Sequence, residues 1–494
     1  MKRSLLEQVI LYDYRYLFGY SLVVLLGLYF LFWRLGGLLP GLGLTEADYL
    51  SSFASWRDVL DQPLYWPHKL VTLLVERWAG FSEYGFRSVS AGFALLGLCA
   101  FFGMVRSRFR ARIAIVAVGL VATSSWWLGY ARQARPEILM PVMAFLLMYL
   151  ARKVYESHGR GWLWALTTVV AVSLYVPLLP YVVMVGFFVM RGIIKRVLTE
   201  YSPLVRWGAV VWLILLTLPL LAGLVRHPDM SLTLMGWPQD WPGLLSIATN
   251  FTNNLAELFW QAGSADWSHR VGQLPLLDLF TAIMLALGLY HLDQEVSRSL
   301  AHFVLYGLGA LLVLTSLDGS ASYDAIMIPF VYTLVAAGVV MLFSQWYEIF
   351  PRNPVARMTA FLPTLLLLAS VMGYHHQRYF SAWAGAPEIL SVYPSLSQPL
   401  EAAINDRNLD VPYFVVVTAD ELAIAEVVAR KHDAVTVTSV ATAADTRQPI
   451  IFSNQAYRQL DREIRRRLSG GIDSVPGPYL SQPINLWLYQ PPET

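Results

Sequence analysis

The chain has 494 residues, of which 56% are hydrophobic and only 14% charged, with a formal net charge of +2. Soluble domains carry about a quarter charged residues, so this composition, with a mean hydropathy of +0.49, excludes an ordinary soluble enzyme. The absence of a basic stripe excludes a nucleic-acid partner, and a single cysteine, Cys99, excludes an intramolecular disulfide framework or a CxxC metal site.

Apolar runs of bilayer length recur along the chain. About eleven are read as spans, at residues 17–39, 88–105, 113–131, 136–151, 161–175, 178–194, 207–225, 275–292, 299–317, 323–345 and 357–374. The N-terminus holds Lys2, Arg3, Glu7, Asp13 and Arg15 before a run too long for a cleaved signal peptide, so the first span is read as uncleaved. Between the fifth and sixth spans lies Tyr175-Val176-Pro177-Leu178-Leu179-Pro180. This segment is either a tight hairpin or a kink within one span. With the N-terminus inside, Arg106, Arg108, Arg110, Arg112, Arg152, Lys153, Arg160, Arg191, Lys195, Arg196, Arg206, Arg298, Arg352 and Arg357 all fall on the cytoplasmic side. The positive-inside rule expects that pattern, and it favours the split into two spans.

Two long outer loops, residues 40–87 and 226–274, are rich in tryptophan (Trp56, Trp66 and Trp78; Trp237, Trp241, Trp260 and Trp267). Tryptophan favours the headgroup layer, so short helices lying on the membrane are expected there, one of them over Leu70 to Trp78. Beyond the last span the pattern changes. Strands are expected at Val411 to Thr418, Ala434 to Val440, Ile450 to Phe452 and Ile484 to Tyr489, with helices at Glu421 to Lys431 and Tyr457 to Leu468. Strands alternating with helices predict a small α/β domain with a largely parallel sheet. The expected organisation is thus a polytopic helical membrane domain over residues 1–374 and a soluble extracytoplasmic α/β domain over 375–494.

Candidate functional residues gather on the outer side. Glu46 and Asp48, in Thr45-Glu46-Ala47-Asp48-Tyr49, stand just where the first span leaves the bilayer. Paired carboxylates can take a proton from an acceptor hydroxyl or hold a divalent metal. Equally, they can be acidic residues at a helix N-terminus capped by Thr45. His68 and Lys69 offer positive charge for a lipid phosphate, or ordinary interfacial anchoring. Arg132 and Arg135 lie in a very short outer turn, against the positive-inside trend. Their planar forks match phosphate oxygens. Pro136 and Glu137 suit the start of the next helix, and an Arg–Glu pair closing the turn is the plainer reading. Asp324 and Asp278 read as carboxylates near helix N-termini, His302 as a packed residue, and His375, His376 and Arg378 as interface residues. Asn250-Phe251-Thr252 is a sequon by pattern alone.

The order of these segments resembles the GT-C class of polytopic glycosyltransferases, in particular bacterial protein O-mannosyltransferases and aminoarabinose lipid A transferases. The resemblance covers residues 15–374. It rests on Thr45-Glu46-Ala47-Asp48-Tyr49, Trp66-Pro67-His68-Lys69-Leu70, Tyr84-Gly85-Phe86-Arg87-Ser88, Ala131 to Glu137, and Tyr323-Asp324-Ala325-Ile326-Met327-Ile328-Pro329. It departs at four places. Thr45 stands where the family has Asp, Glu137 replaces an Asp, Ser322 stands where Arg or His precedes Tyr323, and His-Pro-Pro becomes Pro67-His68-Lys69.

The resemblance implies a sugar transferred from a polyprenyl-phosphate carrier to a hydroxyl of a lipid, glycan or protein, on the outer face of a bacterial plasma membrane. It implies Asp48, with Glu46 second, as the base. Arg132, Arg135, His68 and Lys69 would hold the donor phosphate, and Glu137, Arg87, Tyr323 and Asp324 would line the substrate site. No cofactor is required by the motifs, and a Mg or Mn ion is an open option. A transporter of lipid-linked sugars and a catalytically inactive scaffold are the alternatives. The first expects charges at mid-membrane and a repeat between halves. The second is motivated by Thr45 and Ser322.

Overall fold

The computed structural model describes residues 15–261, 267, 274–295, 298–319, 321–349, 354–405, 412–430, 432, 434–439, 448–469, 471–479 and 482–490. Lys2, Arg3, Glu7, Asp13 and Arg352 lie outside these residues, as do most of 262–273. The chain divides into two compact units. One comprises Met1–Trp33, Val59–Leu70 and Ser88–Trp383. The other comprises Arg34–Asp58, Val71–Arg87 and Ala384–Thr494.

The first unit is helical. Helices stand at each of the eleven predicted positions: Arg15–Phe32, Glu83–Arg108, the pair Ala111–Thr123 and Ser125–Ala131, Leu139–Ser157, Arg160–Ser173, Leu179–Thr199, Pro203–Arg226, Leu279–Glu295, Arg298–Asp318, Ile328–Ile349 and Pro354–Gln377. Among the described residues, five helices are long and apolar enough to cross a membrane, and six if the bent pair is one span. Several of the rest carry charge inside their length, such as Arg191, Lys195 and Arg196 in Leu179–Thr199, or are shorter than a bilayer needs. The Pro177–Pro180 segment resolves as a turn between two helices, with Leu178 in the left-handed region at φ 64°.

The pattern of burial is that of a bundle in lipid. Pro203–Arg226 exposes Val210, Val211, Trp212, Ile214, Leu215, Leu218 and Leu221. In water such a face is an aggregation liability, whereas acyl chains cover it without penalty. Ile328–Ile349 is deeply buried, with Phe330, Val331, Leu334 and Val335 inaccessible to solvent. It packs backbone to backbone on Leu279–Glu295. A Cβ at Gly288 would run into the Leu334 carbonyl, and one at Gly338 into that of Met284. Small residues at such a crossing let dispersion replace the hydrophobic driving force that lipid removes.

The predicted span 113–131 is bent by 62°. At Ser124 ψ swings to 128°, which frees the Ser125 amide from the helical ladder. His375 Nδ1 accepts that amide at 3.3 Å and contacts the Ser125 hydroxyl at 3.2 Å, while His375 Nε2 meets Asp278 Oδ2 at 3.1 Å. Accepting an amide proton requires a lone pair on Nδ1, so Nε2 carries the hydrogen and donates to Asp278. His375, expected at an interface, is a buried strut holding the bend.

In the second unit, residues 413–489 form a five-stranded sheet in the order β2-β1-β3-β5-β4. The strands are β1 (Tyr413–Val417), β2 (Val435–Ser439), β3 (Ile450–Ser453), β4 (Ile472–Tyr479) and β5 (Gln482–Tyr489). β1 pairs in parallel with β2 and β3, and β5 runs antiparallel to β3 and β4. The expected α/β character is present, but the sheet is mixed. Its second half is a hairpin, and a short connection can only join antiparallel strands. β4 was not legible because its Pro476-Gly477-Pro478 reads as loop. At the sheet edge those residues are tolerated, and the β4–β5 register shifts there. Val416, Ile450, Phe452, Ala456, Leu460 and Leu468 form the core.

Candidate active site

Glu46, Asp48 and Arg87 belong to the second unit. Leu44–Ser51 forms a helix of eight residues. Two positions along a helix is a rotation of about 200°, so Glu46 and Asp48 point to opposite sides. Glu46 is fully buried and Asp48 is exposed. The N-cap is Gly43, not Thr45. The Gly43 amide donates to Glu46 Oε2 at 2.8 Å, which is one arm of a capping box. A Cβ at Gly43 would meet the Tyr393 ring, and one at Gly41 would run into the Pro394 carbonyl. Both glycines are therefore sites of close approach.

Arg87 grips Glu46 with both prongs, Nε to Oε1 at 3.1 Å and Nη2 to Oε2 at 2.8 Å, and also donates to the Gly41 carbonyl at 2.7 Å. Glu83 lies one turn before it, 3.8 Å from Nη1. Glu83 accepts from the Ser397 hydroxyl at 2.6 Å and from Gln398 at 2.9 Å. Ser397 in turn accepts the Leu42 amide. The same helix is braced at its other end, where Arg430 donates to the Leu50 carbonyl at 2.6 Å and pairs with Glu76 at 3.1 Å. Glu46 is thus committed to holding the turn, while Asp48 presents its carboxylate to solvent on a fixed helix.

The remaining expected residues belong to the first unit. Arg132 is buried in the turn after Ala131. It donates to the carbonyls of Phe30 (2.6 Å), Leu31 (2.9 Å) and Trp33 (2.7 Å). Those are the orphan acceptors at the end of helix Arg15–Phe32, so the guanidinium caps that helix. Its plane also lies 4.7 Å from the Phe380 ring centre. Arg135 pairs with Glu137 at 2.6 Å, which matches the plainer expectation for this turn. Ser90 donates to the Arg135 carbonyl and contacts His68 Nε2 at 2.9 Å. His68 is fully buried. Burial pushes its pKa down to about 3 despite the opposing pull of Glu137, so the imidazole is neutral at physiological pH and supplies no positive charge. Lys69, also buried, donates to the Gln62 carbonyl at 2.8 Å.

Tyr323 and Asp324 sit on the 3-10 turn Ala321–Met327. Tyr323 is close enough to Glu137 to feel its charge, and Asp324 is buried. The structure therefore gathers His68, Ser90, Arg135, Glu137 and Tyr323 in one neighbourhood, with Arg132 turned to a structural task. Ser90 was not legible beforehand. A serine in an apolar span carries no signal until its histidine partner is known. Among the described residues no group of three or more His, Cys, Asp or Glu side chains is placed to hold a metal ion.

Two solved structures of ArnT from Cupriavidus metallidurans resemble this chain over 95% of its length and 97% of theirs, at 14% identity. One is bound to undecaprenyl phosphate and has a TM-score of 0.54; the other is apo, with a TM-score of 0.53. The fold is of the GT-C type. An Archaeoglobus fulgidus oligosaccharyltransferase tethered with an acceptor peptide is a looser likeness, with a TM-score of 0.48 at 12% identity over 85% of this chain and 64% of its own. No family model and no curated protein matches the chain. At 14% identity the likeness is one of fold alone.

Proposed function

We propose that this protein is a glycosyltransferase of the outer face of a bacterial plasma membrane, moving a sugar from a polyprenyl-phosphate carrier to a hydroxyl acceptor. On this reading the eleven apolar helices are spans and residues 375–494 are extracytoplasmic. The observation that carries it is the division of labour on helix Leu44–Ser51. One carboxylate is locked in a buried fork and the other is left exposed beside it. A catalytic base needs a free lone pair and a fixed position, and Asp48 has both.

The proposed step is direct displacement. Asp48 takes the proton of the acceptor hydroxyl, and that oxygen forms a bond to the anomeric carbon. The bond from that carbon to the phosphate oxygen breaks, and its electron pair leaves with the carrier phosphate. Within the first unit, Lys69 and Arg135 are the cations assigned to a carrier phosphate, with Glu137 orienting Arg135. Fixed cations in a dry site stabilise such developing charge far more than water-exposed ones do. Glu46 and Arg87 hold the base in place, and Arg132 and His68 shape the donor side without contributing free charge. Tyr323 and Asp324 are assigned to substrate binding. No step is routed through a metal.

The test is transfer from a radiolabelled polyprenyl-phosphate sugar by membranes containing the full chain. Asp48→Asn should lose transfer by roughly a hundredfold or more while retaining the bound carrier. Undiminished transfer by the Asp48→Asn, Glu46→Gln double variant refutes the assignment. Translocation or binding of label without transfer favours a transporter or an inactive scaffold.

A further inference from the structure

Lys69 and Arg135 come from distant parts of the chain, the first near the start of helix Trp66–Ala79 and the second in the turn that opens Pro136–Ile138. One hydroxyl joins the two segments. Ser90, on helix Glu83–Arg108, is fully buried, as is His68, and Arg135 is nearly so. The Ser90 hydroxyl donates to the Arg135 carbonyl at 3.1 Å and lies 2.9 Å from His68 Nε2. A serine hydroxyl has a single hydrogen to give. With that hydrogen on the Arg135 carbonyl, the contact with the imidazole runs the other way. His68 Nε2 carries the ring hydrogen and donates it to Ser90 Oγ, which fixes the tautomer of the neutral ring. The face of the ring is held as well. It stacks on Phe93, three residues beyond Ser90 on the same helix, with 5.9 Å between ring centres and 24° between planes.

We propose that Ser90 is a positioning residue for the carrier phosphate: its hydroxyl holds His68, and with it the adjoining Lys69, in register with Arg135. The inference rests on the assignment of Lys69 and Arg135 to that phosphate. Each cation has an anchor of its own, Lys69 at the Gln62 carbonyl (2.8 Å) and Arg135 at Glu137 (2.6 Å). The Ser90 hydroxyl is the link between the two sets. A phosphate held by two cations gains from both only when their spacing matches its oxygens, and a misplacement of about 1 Å can cost on the order of a hundredfold. Removing the hydroxyl takes the acceptor from a buried Nε2–H and the donor from a buried carbonyl. Both losses are costly, and movement of the His68 ring, with the residue that follows it, relieves the first.

Purified full chain in detergent, titrated with a polyprenyl monophosphate that carries no sugar and followed by thermal unfolding, tests this. Ser90→Ala should raise the half-saturating concentration about tenfold. Ser173→Ala is the control. It removes another fully buried hydroxyl, one that donates to the Val170 carbonyl at 2.7 Å within its own helix, and it should leave the half-saturating concentration unchanged. Imidazole nitrogen chemical shifts, with His68 assigned by its loss in His68→Gln, should show hydrogen on Nε2 in the wild type. An unchanged titration in Ser90→Ala, an equal shift in Ser173→Ala, or hydrogen on Nδ1 of His68 in the wild type overturns the proposal. If Ser90→Ala fails to fold, Ser90→Cys, a weaker donor of similar shape, decides in its place and should shift the titration several-fold. Intact sugar transfer with an unshifted Ser90 titration overturns this inference alone, whereas no response of the wild type to the carrier overturns it together with the assignment beneath it.

Discussion

Arg87→Ala should be the most damaging single substitution in the second unit. Arg87 and Glu46 are both fully buried, so solvent screening offers no relief. Removing the guanidinium takes away the cation that grips Glu46, to which the Gly43 amide still donates, and leaves Glu83 with the neutral Ser397 and Gln398. Breaking a buried pair by removing one partner costs about 3–5 kcal/mol. Glu46→Gln should cost less, about 1.5–3 kcal/mol for one weakened charge-assisted contact. In that variant Arg87 keeps the Gly41 carbonyl and still has Glu83 within 3.8 Å. An apolar pair, Glu46→Leu with Arg87→Met, should cost less than Arg87→Ala alone, because neither charge is then stranded. The assay is reversible unfolding in mixed micelles, read by far-ultraviolet circular dichroism, with the wild type, Glu46→Leu, Arg87→Met and the double Glu46→Leu, Arg87→Met variant analysed as a double-mutant cycle. Effects that simply add, within about 0.5 kcal/mol, would show the two residues uncoupled and refute this account.

Arg132→Lys should destabilise nearly as much as Arg132→Ala, because one ammonium cannot span the Phe30, Leu31 and Trp33 carbonyls; rescue by lysine in the same unfolding assay would contradict the capping role. His68 titrates at about 3 when folded and at about 6.5 when unfolded. Its contribution is therefore complete above pH 6.5 and falls by about 1.4 kcal/mol per pH unit as the medium is acidified toward 3. His68→Asn should flatten that slope, which unfolding between pH 7 and 5 measures. Arg430→Ala removes the donor to Leu50 and the partner of Glu76; it should lower transfer several-fold, with rescue by Lys only partial, since the Lys reaches one acceptor at a time.

Much of the architecture follows from patterns that neighbouring residues create. Helices stand at the apolar stretches, and among the described residues five or six of them are long and apolar enough to cross a membrane, where a backbone can satisfy itself only along its own helix or in a closed barrel. The tail, in which strand-like runs alternate with helical ones, contains β1, β2, β3 and β5, since short runs rich in β-branched and aromatic residues are a local signal. The acidic motif, the short turn that carries Arg132 and Arg135 and the Arg135–Glu137 pair were also visible, being close in sequence.

What tertiary structure alone decided is which charged groups are free. Glu46 and Asp48 are equivalent as letters, and Arg87, 41 residues along the chain, pairs with only one of them. Arg132 and Arg135 look like twins until the end of helix Arg15–Phe32 claims the first. His68 reads as a cation until burial removes its proton. Local sequence specifies a side chain's valence and reach. Its protonation and its partner depend on desolvation and on segments hundreds of residues away, and those exist only once the chain has folded.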